Sequence, residues 1–264
     1  MSAAKTLRAH WPEFLIEGWA LGLFMISAGL VTAAFEAPAS PLHAALPNAD
    51  LRRALIGIAM GLTAIALIHS PWGQRSGAHM NPAVTLTFWR LGKVARWDAV
   101  FYIAAQCVGG TAGVLVAKAL CGAAFTAPPV SYVVTVPGEQ GPLWAFVAEL
   151  GLSTLLMLVV LSLSNSERHA RWTGVFAGAL VAAFITLEAP LSGMSMNPAR
   201  SFSSALPAGI WTDFWIYVVA PVLGMQAAAL WHARPRRGPR KACAKLLHPA
   251  DQRCIHCGHE PVRP

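Results

Sequence analysis

The sequence predicts an all-α membrane protein: six transmembrane helices plus two half-helices, arranged as an inverted repeat. Three observations carry that prediction. The chain is apolar, with 55% of its 264 residues hydrophobic and only 12% charged, where a soluble domain has about 25% charged; its mean hydropathy is +0.50. Apolar runs approaching the roughly 20 residues that cross a bilayer recur six times. A polar phrase, SGAHMNPAVT at 76–85, returns as SGMSMNPARS at 192–201.

The first run, Phe14–Phe35, follows basic residues as the core of a signal peptide would. It continues well past Phe24, contains Glu17, and has no clear small-residue cleavage site, so it reads as a retained first span. Leu51–Ser70 is the second span. The irregular stretch SPWGQRSGAHM leads from it to Asn81-Pro82-Ala83. Asparagine is a strong helix N-cap and proline is favoured at the first helical position. The helix that starts there, AVTLTFWRLG, is ended by glycine too soon to span. Ala99–Phe125 is the third span, in which Cys107 and Cys121 read as packing residues.

The polar, Pro/Gly-containing linker Thr126–Pro142 separates the halves. Leu143–Ser164 is the fourth span, with Glu149 where the first has Glu17, and Thr173–Leu187 is the fifth and shortest. EAPLSGMSM then leads to Asn197-Pro198-Ala199 and a second short helix, ARSFSSALPAG, before the sixth span, Trp211–Trp231. Irregular backbone at membrane depth is tolerated only where it is buried in protein or lines a watery cavity. Three spans per half is an odd number, so the second half inserts upside down, and such repeats share a site near the bilayer midplane. The glycine pairs 18/22, 57/61, 109/113 and 174/178 sit mid-span at the spacing that lets helices approach closely.

Charge sets the orientation. With both termini cytoplasmic, Lys5, Arg8, Arg75, Arg90, Lys93, Arg96, Arg168, Arg171 and the basic run 234–245 all lie inside. Only Arg52, Arg53, Lys118 and Arg200 lie outside or within the membrane. The expected organisation is a cytoplasmic N-terminus (1–11), a channel domain (12–232, with repeats 12–125 and 142–232) and a basic cytoplasmic tail (233–264). The net charge is +8, and the basic tail that follows the last span reads as facing anionic lipid rather than nucleic acid. Each half-helix N-terminus carries about half a positive charge. Two such tips meeting at mid-membrane repel cations. The asparagine oxygens cap their own helices, and their NH₂ groups donate into the cavity, which disfavours a proton wire through the centre.

Two Asn-Pro-Ala boxes with matching flanks, in inverted three-span repeats with a glutamate in each half, resemble the aquaporin (major intrinsic protein) family over residues 12–232. The resemblance implies a homotetramer of right-handed six-helix bundles in a membrane, a bacterial inner membrane being expected, each subunit with its own pore. It implies that Glu17 and Glu149 hold the two loops by hydrogen bonds. It also assigns Arg200, which has only Val84 as its counterpart after the first box, to a selectivity constriction. Counting along the matched motif adds Met194 and Ile185, and on the second span Met60, or Gly61 if the loop is one residue shorter. The water-selective branch usually has an aromatic and a histidine at two of these places, and the glycerol branch two aromatics with a glycine. This chain has neither set. Ser201 and Ala205 resemble the water branch. His79 occupies a position where the family often has a histidine, and it reads either as lining the inner vestibule or as bonded to loop carbonyls.

The expected function is passive passage of water and of small neutral solutes such as glycerol, urea or ammonia, with protons and ions excluded. The alternative is a secondary transporter of a small neutral solute, which should show a carboxylate at the half-helix meeting point. No enzymatic constellation such as H-E-x-x-H appears in any span. The channel needs no cofactor. In the tail, Cys254 and Cys257 form C-x-x-C, and with His259 and His248 they are candidate zinc ligands, Cys243 lying just upstream. The other reading of the tail is a disordered or lipid-touching segment without metal.

Overall fold

The computed structural model describes residues 1–166, 168–233, 243–248 and 251–260. Most of the basic run expected to face lipid, 234–242, lies outside the described residues. Among the described residues the secondary structure is wholly helical. The elements are α1 (Ala3–Glu36), α2 (Pro41–Ala45), α3 (Ala49–His69), α4 (Pro71–Ser76), α5 (Pro82–Arg90), α6 (Arg96–Cys121), α7 (Ala123–Thr126), α8 (Pro142–Ser164), α9 (Thr173–Ser192), α10 (Pro198–Ala208) and α11 (Ile216–His232).

Five helices, α1, α3, α6, α8 and α9, are long and apolar enough to cross a membrane, and α11 is a shorter apolar helix of 17 residues. The fifth expected span is longer than its apolar run suggests: α9 absorbs Glu188 and Pro190 and ends only at Gly193, whose φ is +79°. The sixth is shorter, because the backbone before Ile216 is spent on turns. The N-terminal segment is helical from Ala3, so α1 has 34 residues and runs about 50 Å. Its first turns are tied to neighbouring elements by His10 with Asp98 (2.7 Å) and by Glu13 with Arg75 (3.0 Å).

Helix starts follow the chemistry of their first residues. Asn48 caps α3 by accepting from the Leu51 N–H, and Ser70 caps α4 by accepting from the Gly73 N–H. Side chains such as Leu15, Leu62, Val108, Leu143 and Leu187 are exposed on the outer faces of the bundle, as lipid-facing residues must be. Exposed tryptophans, including Trp11, Trp144, Trp172 and Trp215, stand near helix ends, where amphipathic rings sit at the membrane–water interface.

The two halves repeat each other. α1 packs along α6 and α8 along α11, while α3 packs on α9 across the two halves. The glycine pairs make the α1/α6 and α3/α9 crossings. A Cβ at Gly109 would stand 2.1 Å from the Gly18 carbonyl oxygen, and one at Gly113 would stand 2.2 Å from that of Gly22. At the α3/α9 crossing, Gly61 and Gly178 face each other's carbonyls, each 2.5 Å from where the other's Cβ would be. The packing role read from the spacing is therefore the one these glycines have. α5 and α10 enter the bundle as the two half-helices, each starting at an Asn-Pro-Ala box.

Candidate functional site

The site is built from the two boxes and the loops that lead into them. Asn81 accepts from the Ala83 N–H through Oδ1 (2.8 Å), and Asn197 accepts from the Ala199 and Arg200 N–H groups (both 3.1 Å). Each asparagine thus caps its own half-helix. The amide nitrogens cross over: Asn81 Nδ2 donates to the Met196 carbonyl and Asn197 Nδ2 to the Met80 carbonyl, both at 2.7 Å. One amide hydrogen on each side therefore goes to the opposite loop, and one is left for the cavity. That refines the expectation that the NH₂ groups serve the cavity alone.

The loops themselves are in an unusual conformation. Ala78 and Met80 have φ of +53° and +49°, and their counterparts Met194 and Met196 have +48° and +53°. Left-handed backbone at non-glycine residues persists only where the surroundings enforce it. Here the two buried glutamates do so. Glu17 accepts from Ser76 Oγ (2.8 Å), the His79 N–H (3.0 Å), the Met80 N–H (2.6 Å) and Gln106 Nε2 (2.8 Å). Glu149 accepts from Ser192 Oγ (2.9 Å), the Ser195 N–H (2.6 Å) and the Met196 N–H (2.7 Å). A second clamp backs each one: Tyr102 donates to the Ser76 carbonyl (2.7 Å) and Tyr217 to the Ser192 carbonyl (2.6 Å). The tyrosines were not singled out from the sequence. Their matched places, one in α6 and one in α11, are the signal that could have found them.

A cavity of about 670 Å³ runs through the bundle past both asparagines. Its outer end reaches Glu36 and Arg53, and its inner end reaches Ile68, His79 and Val160. Met60, Ile185, Met194 and Arg200 all stand on its wall. Of the two alternatives on the second span, Met60 faces the cavity, whereas Gly61 is taken up in the contact with Gly178. Arg200 donates through Nη1 to the Val133 carbonyl (2.8 Å). That carbonyl belongs to the linker between the halves, where Ser131, Tyr132 and Val133 all have positive φ. The linker folds inward rather than merely connecting. It is anchored by Thr135 Oγ1 to Ser201 Oγ (2.6 Å) and by the Gly138 N–H to the Leu191 carbonyl (2.9 Å). No local pattern in the linker announced this role, because it depends on an approach between residues far apart in the chain.

The chain belongs to the major intrinsic protein family. The family model described as "Major intrinsic protein" matches residues 2–232. The chain is 34% identical over 201 residues to aquaporin NIP3-1 of Arabidopsis thaliana, covering 74% of this chain and 60% of that one. It is 36% identical over 180 residues to aquaporin TIP4-4 of Zea mays, covering 65% and 70%. The chain spans 58–63% of the length of the NIP-type plant relatives it matches. In fold it is similar to the aquaglyceroporin from Plasmodium falciparum, with a TM-score of 0.73 at 20% identity, covering 86% of this chain and 96% of that one. Membership makes this an integral, multi-pass membrane protein of a non-enzymatic family, with the fold read from its sequence.

His79 stands on the cavity wall yet is tightly held there. It is buried, its Nδ1 lies 3.1 Å from Thr85 Oγ1, and its Nε2 donates to the Ala244 carbonyl at 2.9 Å. It thus lines the cavity, as the first reading has it, and is bonded to a carbonyl, as the second has it, although that carbonyl comes from the C-terminal tail. The tail also brings His256 against His79, with ring centroids 5.8 Å apart and planes 11° from parallel. Burial, with His79 alongside, pushes His256 down to about 3.

In the tail itself, His248, Cys254 and Cys257 come together as expected, but the fourth member is Cys243 rather than His259. Cys243 Sγ lies 3.4 Å from Cys254 Sγ, and its hydrogen bond draws Cys254 well below the ordinary thiol range. The His259 backbone carbonyl accepts from the Cys254 N–H (2.9 Å), and its ring meets that of His248 edge-on. The ring nitrogens of His259 fall outside the group of four, so Cys243 replaces His259 in the sequence-based ligand set.

Proposed function

We propose that the protein is a passive channel for water and small neutral solutes that excludes protons and ions. One observation carries this reading: a cavity that passes two capped half-helix N-termini, each presenting an asparagine. The positive ends of both helix dipoles face this cavity, so a cation or hydronium meets unfavourable charge at the point where it would have to shed water. A water molecule there takes amide hydrogens on its oxygen from both sides and turns its own hydrogens away from the centre. A chain of waters so oriented cannot relay a proton.

Met60, Ile185 and Met194, with Arg200, form the selectivity constriction in this reading. Three apolar, flexible or branched walls with a single fixed cation favour neutral solutes without demanding a particular hydrogen-bond pattern. Glycerol, urea and ammonia are the solutes expected beside water. A coupled transporter would need an ionisable carboxylate where the half-helices meet. Glu36 lies at one end of the cavity, far from that point in the chain's order, and is paired with Arg52. Glu17 and Glu149 are instead turned to the backs of the loops, where N–H and O–H donors occupy them. The termini are cytoplasmic and the assembly is a tetramer in this reading, as charge asymmetry and family resemblance respectively suggest.

Stopped-flow permeability of reconstituted vesicles tests the reading. Water flux well above that of lipid alone is expected, with measurable glycerol or urea flux and no proton conductance. Saturable, ion-dependent flux, or no gain over lipid both before and after treatment with a metal chelator, would overturn it.

A further inference from the structure

We infer that Cys243, His248, Cys254 and Cys257 bind one Zn²⁺ ion, and that the tail folded around it plugs the cytoplasmic mouth of the pore with Leu246. The site stands on its own geometry; the plug rests on the channel reading above.

The four ligand atoms lie within 4.8 Å of one another. Tetrahedral zinc, with Zn–S of about 2.3 Å and Zn–N of about 2.0 Å, sets the ligand atoms of such a set about 3.5–3.8 Å apart. Cys243 and Cys254 stand 3.4 Å apart and His248 Nε2 3.2 Å from Cys257 Sγ, so each pair needs to spread by only about 0.3–0.4 Å to take the ion. The sulfur pair is far beyond the roughly 2.05 Å of a disulfide. Three thiolates and an imidazole form a soft donor set that selects zinc over hard cations. The need is also physical. A segment this short cannot build a hydrophobic core of its own, and folded pieces below about 40 residues usually rely on a metal or disulfide. Yet Cys243, Ala244, Lys245, Leu246 and Cys254 are all buried.

The ligands flank the residues that dock. Ala244, Lys245 and Leu246 follow Cys243 directly, and His256 lies between Cys254 and Cys257. The Ala244 carbonyl takes the His79 ring, and the Leu246 N–H donates to the Gly77 carbonyl at 3.2 Å. His256 Nε2 reaches the Ser76 carbonyl at 3.2 Å, and Lys245 lies against Gly77. Leu246 then forms part of the cavity wall at its inner end, beside His79 and Val160, and is only 6% exposed. A metal that joins 243–248 to 254–257 holds both docking pieces in place at once. Losing it separates them and withdraws the apolar plug.

The test uses the full-length protein, purified under reduction. Metal analysis should give one zinc per chain. Co²⁺ put in its place should show the visible absorption of a tetrahedral thiolate site, absent from a Cys254→Ser, Cys257→Ser double variant. Vesicle water permeability should rise several-fold on chelation. It should be high and insensitive to chelator in the double variant. It should be high in Leu246→Gly even though that variant keeps the Co²⁺ spectrum. Substoichiometric metal, or a Cys243–Cys254 disulfide in its place, overturns the site. Bound metal with permeability unchanged both by chelation and by Leu246→Gly overturns the plug. If no form passes water, the channel reading falls and the plug with it, while the metal content and Co²⁺ spectrum still decide the site.

Discussion

Glu17 and Glu149 each hold backbone that would not keep its shape alone. Both oxygens of each carboxylate accept from groups on the loop, so a glutamine cannot replace either without turning an NH₂ toward an N–H. Leaving one buried donor unpaired costs about 1–3 kcal/mol. Glu149→Gln should therefore lower the thermal midpoint of the detergent-solubilised protein, and Glu149→Ala should lower it further, as three donors lose their acceptor. Arg200 acts differently, since its side chain both faces the cavity and holds the Val133 carbonyl. Arg200→Ala should fold, yet raise leakage of protons or larger solutes in vesicle assays; unchanged selectivity would mean the constriction lies elsewhere. The glutamates and the arginine were legible as single residues because charge inside a membrane is too costly to be idle. The exchange of Asn81 and Asn197 amides with opposing carbonyls was not legible. It depends on where two loops from different halves come to rest.

At the scale of elements, the crossings depend on missing side chains. Gly109→Val puts a branched side chain where the Gly18 backbone already lies, since even a Cβ would stand 2.1 Å from its carbonyl oxygen. Forced overpacking of this kind costs about 1–3 kcal/mol and often more, so α1 and α6 should separate and the variant should aggregate in size-exclusion chromatography. Gly151 is the contrast: a Cβ there meets nothing within 4 Å. Gly151→Ala should be neutral or slightly stabilising by thermal unfolding, because alanine is the better helix former. Spans, half-helices and glycine seams were readable because each announces itself within a few turns of chain. The helix limits of α9 and α11 moved because apolarity marks where a helix meets lipid, whereas caps and turns decide where it ends. In the tail, the spacing of Cys and His residues allowed several ligand sets. Only the folded distances between the side chains chose Cys243 over His259.

At the scale of the whole molecule, the bundle is two inverted copies closed by two different covers. The linker folds in at one end of the cavity, and the tail packs against the other. If both termini are cytoplasmic, a tag on either end should be cleaved only after permeabilising right-side-out cells. Cleavage in intact cells would reverse the assigned orientation and, with it, the side on which the tail sits. Native mass spectrometry should show four copies per particle. The cross-linked asparagines bear on how the protein is made. Asn81 leaves the ribosome long before Asn197, so the Met80 carbonyl cannot receive its Asn197 donor until most of the chain has followed. The middle of the passage is the last part to close, and a newly made first half cannot leak ions through a pore that does not yet exist.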